Sequence, residues 1–164
     1  SFASTANATS VLNLTIARRP AGESSSLTYG FSAGGEGSTP SRNVIDKYPF
    51  ATDSDATDHG DLYSATDAGT GQSSLTHGYV TSIDSNVNVI YRYAFSSNTT
   101  AADWADLSVG RTQGGGNSST TYGYTCGGAP SNNEIDRFPF ASQANATDVG
   151  DLTVGGYGLE GTNY

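Results

Sequence analysis

The chain has 164 residues with 16 acidic and 7 basic side chains, which give a formal net charge of −9 and a pI near 4.3. A single lysine and six scattered arginines do not supply the basic surface that neutralises phosphates, so we expect no nucleic-acid partner. No apolar run approaches the roughly 20 residues that span a bilayer, so we expect no membrane partner either. The lone cysteine, Cys126, excludes a disulfide within the chain.

A repeat of about 45 residues runs through the sequence. Phenylalanines begin the same short phrase at nearly equal spacing, at Phe2, Phe50, Phe95 and Phe140. An aspartate or asparagine followed by leucine recurs in each copy, ahead of Leu14, Leu62, Leu107 and Leu152. These spacings predict one repeat domain over 1–164, with units 2–49, 50–94 and 95–139 and a partial fourth unit, 140–164.

Each unit predicts the same short strands in the same order. Alternating apolar and polar residues bounded by Gly, Asn, Asp and Pro are typical of strands. The weakest candidates are Ser/Thr-rich, at 24–26, 73–74 and 117–120. Aromatic-Gly segments follow at 28–33, 76–82 and 121–126, and Asn-to-Phe segments at 43–50, 88–95 and 133–140. A further strand is expected after each Asp-Leu phrase. No window has a helical period, so the predicted fold class is all-β.

The third unit resembles the kelch repeat. It carries Arg111, the aromatic strand 121–126 that ends at Gly127-Gly128, a later strand with Phe138, and Trp104 in the preceding segment. The first unit has an arginine, a tyrosine and a diglycine at matching positions. The middle unit departs from the pattern, because Ser82-Ile83 replaces the diglycine and Thr66 replaces the arginine.

This resemblance implies kelch-like propeller blades. The phrases at 138–141 (FPFA) and 146–153 (ATDVGDLT) resemble a branch of kelch-like repeats in phage and other viral structural proteins and in environmental bacterial surface proteins. The implied location is therefore extracellular or on a virion surface.

Three full units are too few for a closed propeller, which takes four to eight blades. The chain is then a piece of a longer array, or identical chains complete one another, or the repeats stack openly. In the last two cases the terminal strands have unpaired edges, which recruit partners. We expect a homo-oligomer or a larger assembly.

Catalytic chemistry has little support in the sequence. The two histidines, His59 and His77, fall at different repeat positions, so structural roles are expected for both. Cys126 precedes a diglycine in a predicted strand and is expected to be a small, buried residue. The sequence therefore predicts a protein that is not an enzyme and has no cofactor.

One acidic stretch could bind calcium. Four carboxylates lie within nine residues, at Asp53, Asp55, Asp58 and Asp61, and Ca²⁺ prefers such oxygen ligands. The equivalent stretches of other units have fewer carboxylates, which favours Asx turns at these positions.

Other candidate sites concern sugars. Tyr63, Tyr157 and Tyr164 are aromatic residues near predicted loops, where they could stack on a bound glycan. Five Asn-x-Ser/Thr sequons would accept N-linked glycans if the protein passed through a eukaryotic secretory pathway, at Asn7, Asn13, Asn98, Asn117 and Asn145.

Two functions remain open at this point. The first is a non-enzymatic structural or adhesive repeat protein of a virion or extracellular appendage, which acts by self-assembly and by presenting surfaces. The alternative is a carbohydrate-binding propeller module.

Overall fold

The computed structural model describes residues 10–19, 21–37, 42–84, 87–159 and 161. Within these ranges the chain forms fourteen β-strands and no helix, which confirms the all-β prediction. No helix of this part is long and apolar enough to cross a membrane.

Three four-stranded antiparallel sheets carry the fold, each with its strands side by side in chain order. The first sheet contains β1 (Gly22–Ser25), β2 (Tyr29–Gly35), β3 (Arg42–Pro49) and β4 (Thr57–Thr66). The second contains β5 (Thr70–Ser73), β6 (His77–Thr81), β8 (Val89–Ala94) and β9 (Ala102–Asp106). The third contains β11 (Gly115–Ser118), β12 (Tyr122–Gly128), β13 (Asn132–Pro139) and β14 (Thr147–Asp151). The short strands β7 (Ile83–Asp84) and β10 (Arg111–Thr112) pair with each other.

The sheets are offset from the sequence units. Each sheet takes three strands from one unit and its fourth strand from the next. The prediction that this strand follows the Asp-Leu phrase was wrong for the second and third sheets, because β9 and β14 end at Asp106 and Asp151. There the aspartate of the phrase pairs with the neighbouring strand, and the strand ends before the leucine. In the first sheet, β4 contains the phrase and continues past Leu62 to Thr66, which pairs with Arg42.

The sheets are stacked with their first strands backbone to backbone. A Cβ atom built on Gly71 of β5 would lie 1.9 Å from the Glu23 carbonyl oxygen of β1, and one on Gly116 of β11 would lie 2.5 Å from the Gly71 carbonyl oxygen. Only glycine allows backbones to approach this closely. The glycines therefore set the spacing between β1, β5 and β11, the inner strands, which form the inner edge of the stack. No closed ring of sheets is formed by the described residues.

Aromatic rings fill the wider space between the sheets. Phe31 of the first sheet stacks on Phe95 of the second at a centroid distance of 4.5 Å and meets Tyr93 at 5.9 Å. One repeat further on, Tyr79 stacks on Phe140 at 4.9 Å. Because aliphatic residues are scarce in this chain, these rings supply much of the apolar area buried between the sheets.

At the outer edge, backbone hydrogen bonds join successive repeats. The Ala56, Ala101 and Ala146 amides donate to carbonyl oxygens of the preceding repeat at 2.7–2.9 Å. Their acceptors occupy one repeat position, at Asn13, Asp61 and Asp106. Residues 10–19 thus lie beside the first sheet as β4 lies beside the second.

Two buried ion pairs fix the segments that lead into the first and third sheets. Arg18 binds Asp46 at 2.7 Å, and Arg111 binds Asp136, with all four side chains fully buried. Arg18 also donates to the carbonyl oxygens of Ser32 and Gly34, both at 2.8 Å. Each arginine thereby fastens the linker to the strands of the sheet that it enters.

The second sheet replaces this ion pair with neutral groups. Thr66 occupies the arginine position and donates to the Ile83 carbonyl oxygen at 3.1 Å. Tyr91 occupies the aspartate position, and its hydroxyl lies 2.8 Å from that of Ser64. The loss of the arginine in the middle unit is therefore matched by the loss of its partner.

We expect Gly71→Ala to destabilise the protein by about 1–3 kcal/mol or more, since its methyl group would overlap the β1 backbone. Urea unfolding measures this change. Gly156→Ala is the matched control, because its Cβ would meet nothing nearer than Leu159, at 4.0 Å. Equal losses from both variants would contradict the backbone packing.

Asp136→Asn should cost about 3–5 kcal/mol, because it removes the buried carboxylate partner of Arg111 and leaves only the partly exposed carboxylate of Glu134, 3.8 Å away. A triple variant, Arg111→Thr with Asp136→Tyr and Val109→Ser, copies the neutral groups of the second sheet. We expect it to recover much of the stability that Asp136→Asn loses. Thermal unfolding of the two variants tests the exchange. A triple variant no more stable than Asp136→Asn would show that the two arrangements are not interchangeable.

Candidate functional site

Two of the four carboxylates proposed for calcium have protein partners. Asp55 Oδ1 accepts hydrogen bonds from the Asn13 backbone and side-chain amides at 2.9 and 3.1 Å. Asp58 Oδ1 accepts from the Gly60 amide at 2.8 Å, which confirms the Asx turn predicted there. Among the described residues, no three His, Cys, Asp or Glu side chains come together in a way that could hold a metal ion. Calcium binding by Asp53, Asp55, Asp58 and Asp61 stays a prediction.

The histidines and the cysteine lie in packed surroundings. His59 is buried, with Nε2 2.8 Å from the Ala94 carbonyl oxygen and its ring edge-on to Phe31. His77 is half-buried, and burial, followed by the positive charge of Arg92, lowers the pKa of its imidazole. Burial raises the pKa of the Cys126 thiol, which reduces its reactive thiolate form.

Three of the four sequon asparagines in the described part of the chain make contacts between repeats, and the fourth, Asn117, bonds within its own sheet. The Asn13 amide binds Asp55, and the Asn98 amide donates to the Asp58 carbonyl oxygen at 3.3 Å. Asn145 Oδ1 accepts from the Asp106 amide at 3.2 Å. Asn117 hydrogen-bonds the Cys126 thiol. Asn7 lies outside the described residues, and glycosylation stays a prediction for all five.

The structure places the candidate tyrosines in two neighbouring clefts. Tyr63 is 75% exposed beside Tyr91, whereas Tyr157 is 65% exposed at the linkers between sheets. Tyr164 lies outside the described residues.

The cleft around Tyr157 has a volume of about 590 Å³ and is called the linker cleft here. Successive linkers contribute its lining, which consists of Arg19, Ala21, Asp67, Ala68, Gly69, Gln113, Gly114, Tyr157, Gly158 and Leu159. Charged, amide and aromatic groups thus share one surface, as sugar recognition requires.

A second groove follows the hairpin turns at the other end of the inner strands. The Ser25 amide donates to Ser73 Oγ and the Ser73 amide to Ser118 Oγ, both at 2.9 Å, so the three hairpins form a hydrogen-bonded row. Leu27 and Leu75 project from their tips and are 91% and 84% exposed. The repeat thus presents a row of serines, with leucine at the first two hairpin tips and Thr120 at the third.

The outer face of the first sheet has an aromatic patch formed by the half-buried Tyr48 and the exposed Phe50. The equivalent residues of the second sheet, Tyr93 and Phe95, are 2% and 8% exposed because they pack against Phe31. Phe50 is 57% exposed and contacts Tyr48 edge-on at 6.2 Å. An aromatic surface that is covered between sheets is therefore open at this end.

The repeat alignment identified these aromatic positions but not their exposure. It also overlooked Glu23, which stands on the same outer face. Burial, followed by the negative charge of Glu23, raises the pKa of the Tyr48 phenol. The sequence contains a signal that could have identified Glu23. One repeat position holds Glu23 in the first copy and glycine in the later copies, at Gly71, Gly116 and Gly161.

Comparison with protein-family models and with curated proteins found no match for this chain. The kelch-like resemblance therefore rests on the sequence pattern described above.

Proposed function

We propose that this protein is a non-enzymatic structural repeat protein that works by association of its copies and by presenting repeated surfaces. The observation that carries this proposal is the open aromatic patch of Tyr48 and Phe50. The chain buries equivalent rings against a neighbouring sheet wherever it supplies one. A second copy is the partner best suited to cover the patch, since the chain already contains surfaces that pack on such rings.

We further propose that the three sheets are kelch-like blades and that the protein belongs to a virion or an extracellular appendage. Support for blades comes from the four-stranded antiparallel sheets in chain order and their repeat of about 45 residues. The location follows from the sequence resemblance alone. Regular rows such as the hairpin serines suit a protein that presents a surface.

Phe50→Ser should weaken association of copies by roughly tenfold or more, because burying a large aromatic side chain contributes about 1.5–3 kcal/mol. Sedimentation velocity over a concentration series measures this. The folded chain should keep its melting temperature to within a few degrees, since Phe50 is exposed.

Leu75→Ser is the matched control, because it removes an apolar side chain that is still more exposed but lies at a hairpin tip. Association that responds equally to both variants, or to neither, would contradict the aromatic patch as the contact.

The linker cleft supports the alternative function, carbohydrate binding. Tyr157 offers a stacking surface there, and Arg19, Asp67 and Gln113 offer donors and acceptors for hydroxyl groups. On a glycan array, Tyr157→Ala should lose any hit of the natural chain, because stacking is removed. Tyr63→Ala, an exposed tyrosine of the neighbouring cleft, should keep the hit. An array without hits would remove this alternative.

A further inference from the structure

The glycine position of the inner strands is where one sheet leaves room for the next. Cβ atoms at Gly71 and Gly116 would each overlap the backbone of the preceding first strand. Gly161 continues the series, since its Cβ would lie 1.6 Å from the Gly116 carbonyl oxygen. All three glycines face the preceding strand, so a sheet can be added in front of another only where this position has no side chain.

Glu23 holds this position in the first sheet. Its neighbour Ser24 points towards the second sheet, where its hydroxyl bonds that of Tyr93. Because successive side chains of a strand alternate between faces, Glu23 projects from the outer face. Its carboxylate accepts a hydrogen bond from Ser32 Oγ at 3.0 Å on that same face.

Ser32 is a second polar residue on this face, at a repeat position that holds Val80 in the second sheet and Thr125 in the third. The equivalent residue of the second sheet, Val80, is fully buried and faces Gly22 of the first sheet. In the first sheet the position holds a serine that is bound to a carboxylate. On this outer face, the part formed by β1 and β2 is therefore polar, whereas the part formed by β3 carries the aromatic patch.

We propose that Glu23 is a stop, which prevents a second copy from adding its inner strand to the first sheet in the way that the sheets stack within the chain. A backbone placed there would overlap the Glu23 side chain and would bury its carboxylate away from water. This inference rests on the proposed function and deepens it. Association through Tyr48 and Phe50 then stops at a limited number of copies. Copies meet at the aromatic part of the face and do not continue the stack.

The inference distinguishes the two ends of the stack. At one end, glycine lets the segment at Gly161 lie against β11 as the inner strands lie against each other within the stack. At the other end, the Glu23 side chain occupies the face where a preceding inner strand would lie. Replacing Glu23 by glycine gives the first sheet the residue that the other copies have and opens it to the glycine end of a second chain.

Glu23→Gly is the direct test, with sedimentation velocity and negative-stain microscopy of the whole chain. The natural protein is expected to reach a limiting mass as its concentration rises. The variant is expected to keep growing into elongated particles and to associate at a roughly tenfold lower concentration. Glu23→Gln should behave like the natural protein, because it removes the charge and keeps the side chain.

Glu36→Gly is the matched control, since it makes the same change at an exposed glutamate outside the glycine series. Limited association of Glu23→Gly would overturn the stop, and so would open-ended growth of the natural protein, of Glu23→Gln or of Glu36→Gly. The proposed function fails separately, when Phe50→Ser leaves association unchanged. Growth of Glu23→Gly would still support the stop in that case.

Discussion

The close approach of successive inner strands is the constraint on which the stack depends. Backbones that meet directly leave no room for a side chain, so each new inner strand needs glycine at one position. Gly71 and Gly116 meet this requirement inside the chain, and Gly161 extends it beyond the third sheet. The rest of each interface adapts to that narrow inner edge, with aromatic rings in the wider part and backbone hydrogen bonds at the outer edge.

Polar groups fix the same geometry from the linkers. The buried pairs Arg18–Asp46 and Arg111–Asp136 tie each linker to the sheet that follows it. Breaking such a pair is costly because a charge is left buried without its partner, whereas replacing both members with neutral hydrogen-bonding groups is tolerated. Thr66 and Tyr91 show that this chain contains both solutions. In all three sheets the linker is therefore attached to the sheet that follows it, but the groups that attach it are charged in two sheets and neutral in one.

Function in a repeat protein of this kind lies in what its ends and edges expose. Between sheets, the aromatic rings at this repeat position pack against the neighbouring sheet. Phe50 is the equivalent ring of the first sheet, and it is exposed. In the proposed association, Glu23 on the same outer face limits how a second copy can bind there. An apolar patch beside a charged obstruction favours a specific, finite contact over indefinite stacking.

The sequence by itself determined the all-β class, the repeat length and most strand positions, because alternation and turn residues act locally. It also indicated the Asx turn at Asp58 and the departures of the middle unit at Thr66 and at Ser82-Ile83. Only the tertiary structure decided which sheet each strand joins, since the fourth strand crosses from one unit to the sheet of another. The exposure of Phe50, the burial of His59 and the obstruction by Glu23 were likewise invisible in the repeat pattern. Equivalent positions have the same local conformation, but whether a neighbouring sheet covers them depends on packing between distant parts of the chain.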